Sequence, residues 1–231
     1  MGKYNIKDTS NRLIVGIGSS DTNRKNGFTV SSAGAGWFAG AVTSAGADYA
    51  ELFEWQDGNP DAEDRIGLAV ALDGEKIHLA NAEDDVLGII SGTAGVMGDN
   101  AAYEWKDKYL TDDYGRIIYD EPVEDFIEYT DYADPTNPET WVKAKETAGF
   151  HRYPKMNPEY DPNAEYIGRE TRKEWDAVGL IGKLYANDDG TCKINGFAKV
   201  AENGILTASE GKTNMRVMKR INGNVVWIFM K

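Results

Sequence analysis

Two glycine turns, each set between β-prone runs, limit this chain more than any other feature. Arg65–Leu72 runs into Asp73-Gly74 and returns as Glu75–Ala80, and Met215–Ile221 reaches Asn222-Gly223 and returns as Val225–Met230. Asp-Gly and Asn-Gly accept the positive φ angles of tight hairpin turns, so each pair reads as adjacent antiparallel strands. Val225–Met230 is apolar at every position, which predicts a strand covered on both faces.

Other segments follow the same pattern. Val86–Ile90, after Asp84-Asp85, reads as a buried strand. Gly179–Tyr185 is expected to pair with Lys193–Phe197 across Asn187-Asp188-Asp189-Gly190. Arg12–Gly18 and Phe28–Val30 read as short strands too small to bury a core alone. Residues 31–47 are mostly Ser, Ala and Gly, a linker composition, although Trp37-Phe38 predicts that part of it packs. Residues 119–175 hold most of the prolines and read as an extended arm with a short helix around Glu139–Glu146. The expected architecture is mainly β, a hairpin-rich sheet or barrel-like domain over residues 48–231. Residues 1–47 stand before it as short strands and a linker.

Composition narrows the function classes. A net charge of −13 with no compensating basic stripe argues against nucleic acid and anionic membrane as partners. Cys192 is the single cysteine, so no disulfide within the chain and no cysteine-based metal site is expected. No apolar run reaches the ~20 residues of a membrane span, and the N-terminus lacks the apolar segment of a signal peptide. The reading is a product of a reducing cytoplasm.

Several chemistries can be weighed and set aside. His78 falls in an expected strand and His151 in the proline-rich arm, and no Gly-x-Ser-x-Gly elbow supplies a nucleophile. Glu210-Gly211-Lys212-Thr213 looks like the end of a phosphate loop, but Gly204 lies too far upstream, so a turn is expected. Asp84-Asp85 and Asp188-Asp189-Gly190 lack the alternating ligands of a calcium loop. What remains is Ala45–Trp55, where small residues give way to Asp48, Glu51 and Glu54 interleaved with Tyr49, Phe53 and Trp55. On a helix the three carboxylates share a face; on a strand Glu51 opposes the other two. Paired carboxyls do acid–base work when their surroundings separate their pKa values, and aromatic neighbours supply desolvation. The plainer alternative is an amphipathic segment that packs its aromatics and solvates its acids.

Specificity comes from motifs in order. Gly46–Trp55 is followed by Asp57–Pro60, Glu63–Gly67, Leu72–Ile77 and Asp84–Ser91, then Tyr109–Arg116, Asn157–Pro162, Glu174–Leu180 and Asp188–Cys192. From about residue 46 onward the chain resembles the C-terminal intramolecular-chaperone, self-cleaving domain of tailed-phage neck appendages and tail spikes, the second family of glutamic peptidases. Arg12–Val30 resembles the end of the spike shaft in such proteins.

The resemblance implies a homotrimer that templates the upstream shaft of the same chain, after which each chain cuts its own backbone once, in cis, and the chaperone leaves, all in the host bacterial cytoplasm. It implies Glu51 as the catalytic glutamate and Ala47–Asp48 as the scissile bond. Asp48 is then the acid partner or positioning group, with Asp73 and Asp85 as reserve carboxylates. Release in relatives is ATP-dependent, although no ATP site is legible in this sequence. Relatives that cut after serine have a hydroxyl to assist, and Ala47 has none. The competing expectations are a trimeric tip that does not cleave and a host-surface-binding module, the latter suggested by twelve tyrosines and six tryptophans.

Overall fold

The computed structural model describes residues 2–6, 11–31, 34–100, 108–127, 132–134, 137–142 and 148–231, with side chains left aside over 123–151. Apart from one 3-10 turn at Arg169–Thr171, the regular structure among these residues is all β-strand. An N-terminal sheet contains β1 (Gly2–Lys3), β2 (Asn11–Ile17), β3 (Asn26–Ser31) and β4 (Gly36–Phe38), hydrogen-bonded in that order. The expected strands around Arg12 and Phe28 are therefore present. Trp37-Phe38 lies on a strand, with Phe38 stacked on Phe28 at 4.5 Å between ring centroids.

The body is a ten-stranded sheet. It begins with β5 (Asp48–Trp55), β6 (Ala69–Asp73), β7 (Lys76–Leu79), β8 (Val86–Ile90) and β9 (Val96–Gly98). Two short antiparallel pairs follow, β10 (Val123–Ile127) with β13 (Ala148–His151) and β11 (Tyr132–Asp134) with β12 (Asn137–Val142). The sheet then resumes with β14 (Trp175–Asn187), β15 (Phe197–Val200), β16 (Leu206–Ser209), β17 (Met215–Arg220) and β18 (Val225–Met230). Strand β14 pairs with β5, β8 and β18, so β5, β7, β6, β8 and β14 close into a ring. That closure is barrel-like and leaves no free edge within the ring.

Both glycine turns form as expected: Asp73 pairs with Lys76 around Gly74 at φ +63°, and Arg220 pairs with Val226 across Asn222-Gly223. The core holds Ile89, Leu184, Leu206, Val217 and Ile228 in one cluster and Trp55, Val70, Ile77, Ile90 and Val178 in another.

Four expectations are corrected. Arg65–Leu68 is a turn rather than strand, because Gly67 takes φ +84° and Arg65 is drawn to Asp57 and Glu63 at 2.6 and 3.0 Å. Gly179–Tyr185 does not pair with Lys193–Phe197; it joins β5 and β18, while β15 pairs with β16 and β17. Asn137–Val142 is strand, not the start of a helix, and 143–146 lie outside the described residues. Strand β18 is covered within the chain on one face only: Val226, Ile228 and Met230 are buried, whereas Phe229 is exposed and Val225 and Trp227 are half-buried. The Glu210–Thr213 segment is a turn between β16 and β17.

Candidate cleavage junction

The linker joins the body at the first residue of β5. Residues 34–45 are exposed, and Gly46 then meets Gly95 so closely that a Cβ on either would lie 2.3 or 2.6 Å from the other's backbone. Only glycine fits both positions without moving the chain.

The Ala47–Asp48 bond is held from two sides. The Lys183 backbone N–H donates to the Ala47 carbonyl at 3.2 Å, and the Gly95 N–H donates to the Asp48 carbonyl at 2.8 Å. Opposite Asp48 stands Gly182 at φ +120°, where a Cβ would lie 2.5 Å from the Ala47 oxygen and 2.8 Å from the Asp48 Cα. The peptide group is thus extended, fixed and approached by bare backbone. A backbone donor so placed is able to stabilise negative charge on the Ala47 carbonyl oxygen.

Asp48 itself is 5% exposed, and neither carboxylate oxygen has a hydrogen-bond partner. Burial pushes its pKa up, and the Ser91 side chain and its own backbone amide, near the carboxylate but outside hydrogen-bonding geometry, only partly oppose this. Desolvation penalises the charged form, so the environment favours a neutral acid.

Glu51 sits differently. Alternation along β5 places Asp48, Ala50 and Leu52 on one face and Tyr49, Glu51 and Phe53 on the other. The Tyr49 hydroxyl donates to Glu51, and this bond, with burial and the carboxylate's charge, raises the tyrosine pKa. A Cβ at Gly98 would lie 2.6 Å from the Tyr49 hydroxyl and 2.9 Å from Glu51 Cγ, so glycine makes room for the pair. Glu51 lines an open cleft of about 1020 Å³ together with Phe53, Lys76, Arg169, Arg172 and Trp175. In that cleft Arg169 is buried, bonded to the Asp99 carbonyl at 2.7 Å, and stacked over Trp175 at 4.2 Å.

The three carboxylates of the motif therefore have three fates. Asp48 is buried without a partner, Glu51 is bonded to a tyrosine, and Glu54 is neutralised by Lys76 at 2.8 Å. Within one chain, Asp48 and Glu51 do not face each other. The reserve carboxylates lie elsewhere: Asp73 accepts from the Gln56 side chain, and Asp85 is exposed beside Lys199 and Met215. The backbone clamp of Gly95, Gly182 and Lys183 had no sequence signature, because glycines are frequent here and an amide donor is residue-blind.

The family model described as "Peptidase_G2, IMC autoproteolytic cleavage domain" matches residues 2–223. This chain belongs to that family. The putative phage-related protein YobO of Bacillus subtilis (strain 168) is 35% identical over 189 residues, covering 80% of this chain and 20% of YobO. The pre-neck appendage protein of Bacillus phage B103 is 33% identical over 171 residues, covering 74% of this chain and 17% of its own length. The chain thus spans about a fifth of these relatives. Its fold matches the crystal structure of pre-mature bacteriophage phi29 gene product 12 with TM-score 0.71 and 26% identity, over 90% of this chain and 25% of that one. The C-terminal fragment of the same gene product matches with TM-score 0.59 and 28% identity, over 80% of this chain and all of the fragment. The chain is accordingly a mainly β, autoproteolytic-family domain of the phage neck-appendage class.

Proposed function

We propose that this domain trimerises, serves as a disposable assembly chaperone for the spike or neck-appendage shaft upstream of it, and cuts that shaft free at Ala47–Asp48. Assembly and cleavage are assigned to the host bacterial cytoplasm, with neither nucleic acid nor membrane as a partner. One observation carries the reading. In a domain of the autoproteolytic family, an exposed small-residue leader meets the body at a peptide bond whose carbonyl is pinned by an amide and whose next side chain is a buried, unpartnered carboxyl.

Glu51, ionised, takes a proton from water, and the resulting hydroxide bonds to the Ala47 carbonyl carbon. The Lys183 N–H supports the oxyanion. Neutral Asp48 then protonates its own backbone nitrogen as the C–N bond breaks. The products are a carboxyl at Ala47 and an amine at Asp48. Water and the chain supply every atom, and ATP has no part in bond breaking; any nucleotide dependence belongs to release. Each chain is cut once, so the reaction is a single turnover.

Freshly folded protein should run as a trimer and yield a fragment whose mass and N-terminal sequence begin at Asp48. Glu51→Gln should leave an intact trimer and lower the cutting rate by about 100-fold or more. A Glu51→Gln protein that cuts at the normal rate removes Glu51 from the mechanism. Ala47, which has no hydroxyl to assist, favours a second reading, a trimeric tip that stays attached to the spike. That reading requires one full-length mass after prolonged incubation.

A further inference from the structure

We infer that cutting is reciprocal between protomers: Glu51 of one chain acts on the Ala47–Asp48 bond of a neighbour. The inference rests on the cleavage reading above and concerns which chain supplies the base.

The geometry of β5 is the ground. Asp48 and Glu51 are three residues apart on an extended strand, which separates their Cα atoms by about 10 Å and points their side chains to opposite faces. The strand cannot be turned over to bring them together. It is paired with β14 from Trp175↔Glu54 to Gly182↔Asp48, and with β9 on its other side from Tyr49↔Val96 to Glu51↔Gly98. A one-residue slip would also exchange the buried Ala50 and Leu52 for Glu51. Glu51 is held further by Tyr49 over Gly98. A rigid strand thus keeps a chain's base away from its own bond.

Each half nevertheless faces something a second copy can supply. Glu51 opens on a cleft of about 1020 Å³, large enough to admit an extended peptide segment. Between Ala39, bonded to Gly27 of the N-terminal sheet, and Gly46, packed on Gly95, residues 40–45 of the leader are exposed and uncharged, so they can enter a cleft of mixed charge without adding an unpaired ion. The occupant assigned to the cleft is therefore the leader of another protomer, whose Ala47–Asp48 bond stays clamped on its own body and meets Glu51 at the mouth of the cleft. In a cyclic trimer such a contact is head to tail, and each chain cuts one neighbour and is cut by the other. A monomer then has no complete site, which makes cleavage conditional on assembly.

The test is complementation. Glu51→Gln chains, mass-labelled by a C-terminal tag, keep their own Asp48 but lack a base. Asp48→Ala chains keep the base. Each variant alone should form trimers that cut at least about 100-fold more slowly than wild type. Folded together in equal amounts, the mixture should cut about half of the Glu51→Gln chains, those whose cutting neighbour carries Glu51. If Asp48→Ala does not fold, wild-type chains replace it and the same half is expected, because the count is made on the tagged chains. Size-exclusion with light scattering and affinity capture of the tag verify mixed trimers. Mixed trimers in which the wild-type chains are all cut and the tagged chains none overturn the inference and leave the cleavage reading standing. Wild-type homotrimers that never cut overturn both.

Discussion

Two aspartates in this molecule are buried in opposite ways. Asp188 is fully enclosed, yet its carboxylate accepts from the Gly190 and Cys192 amides at 3.1 and 3.2 Å and from Arg220 at 2.8 and 3.0 Å. Burial alone would raise its pKa, but the Arg220 guanidinium and those amides prevail and hold it below the usual carboxylate range. Arg220 also bonds the Gly223 carbonyl at 2.9 Å, so the cluster ties the β17–β18 turn to the end of β14. Asp48 is nearly as enclosed and has no partner, and its pKa moves the other way. A paired buried charge is a structural clip. An unpaired buried carboxyl costs about 1–3 kcal/mol of unmet hydrogen bonding, a cost that the acid role proposed for Asp48 would account for.

The sharpest way to break the contrast is at the clip. Arg220→Met should destabilise the fold by about 3–5 kcal/mol by leaving Asp188 charged and unpaired, as read from denaturant midpoints. A loss under about 1 kcal/mol would mean that water already reaches Asp188. Next comes the junction. Gly182→Ala should slow cutting by about 100-fold while the trimer persists, since the added methyl would displace the Ala47 carbonyl. Unaltered kinetics, followed by timed intact mass, would show that the clamp does not orient the bond.

The two carboxyls should also respond to pH with opposite sign. Asp188 has a depressed folded pKa, so its stabilisation is present above the unfolded value of about 3.9 and is lost as pH falls through the lower folded value. Arg220→Met should flatten that acid limb in melting curves. Asp48 has a raised folded pKa, so the cutting rate should decline as pH rises through it, and Asp48→Asn should abolish that alkaline limb. The smallest effect is on stability: Asp48→Ala, which removes an unpartnered carboxyl, should stabilise the uncut protein by about 1 kcal/mol at neutral pH. A destabilised Asp48→Ala would show that Asp48 has a partner in the assembly.

Much of this was legible because it is local. Asp73-Gly74 and Asn222-Gly223 declare their turns through backbone chemistry alone, and Val86–Ile90 declares a buried strand through its apolar run. The errors arise where distant residues decide. Nothing near Gly179 states that its partners will be Ala50 and Ile89, and the Asp188–Arg220 pair spans 32 residues. At the junction, the motif from Gly46 to Trp55 marks out the proposed bond and the carboxylates around it, and strand alternation allowed for Glu51 facing away from Asp48. The donor to the Ala47 carbonyl comes from a backbone amide 136 positions on, which no side-chain pattern records.

Strand β14 has a mechanical consequence. The leader enters β5 along the strand axis, and β5 is flanked over the same residues by β14 and β9. A pull on the leader therefore loads many interstrand hydrogen bonds together in shear, instead of opening them one after another as a zipper. While Ala47–Asp48 is whole, tension from the upstream segment is carried into the closed ring. Were that bond cut, the leader would keep within its own chain the Lys183 bond to Ala47 and the contacts of Gly46 with Gly95 and Thr93, and would have no share in the β5–β14 ladder. One hydrolysis would convert a shear-resistant joint into one that parts under a small force.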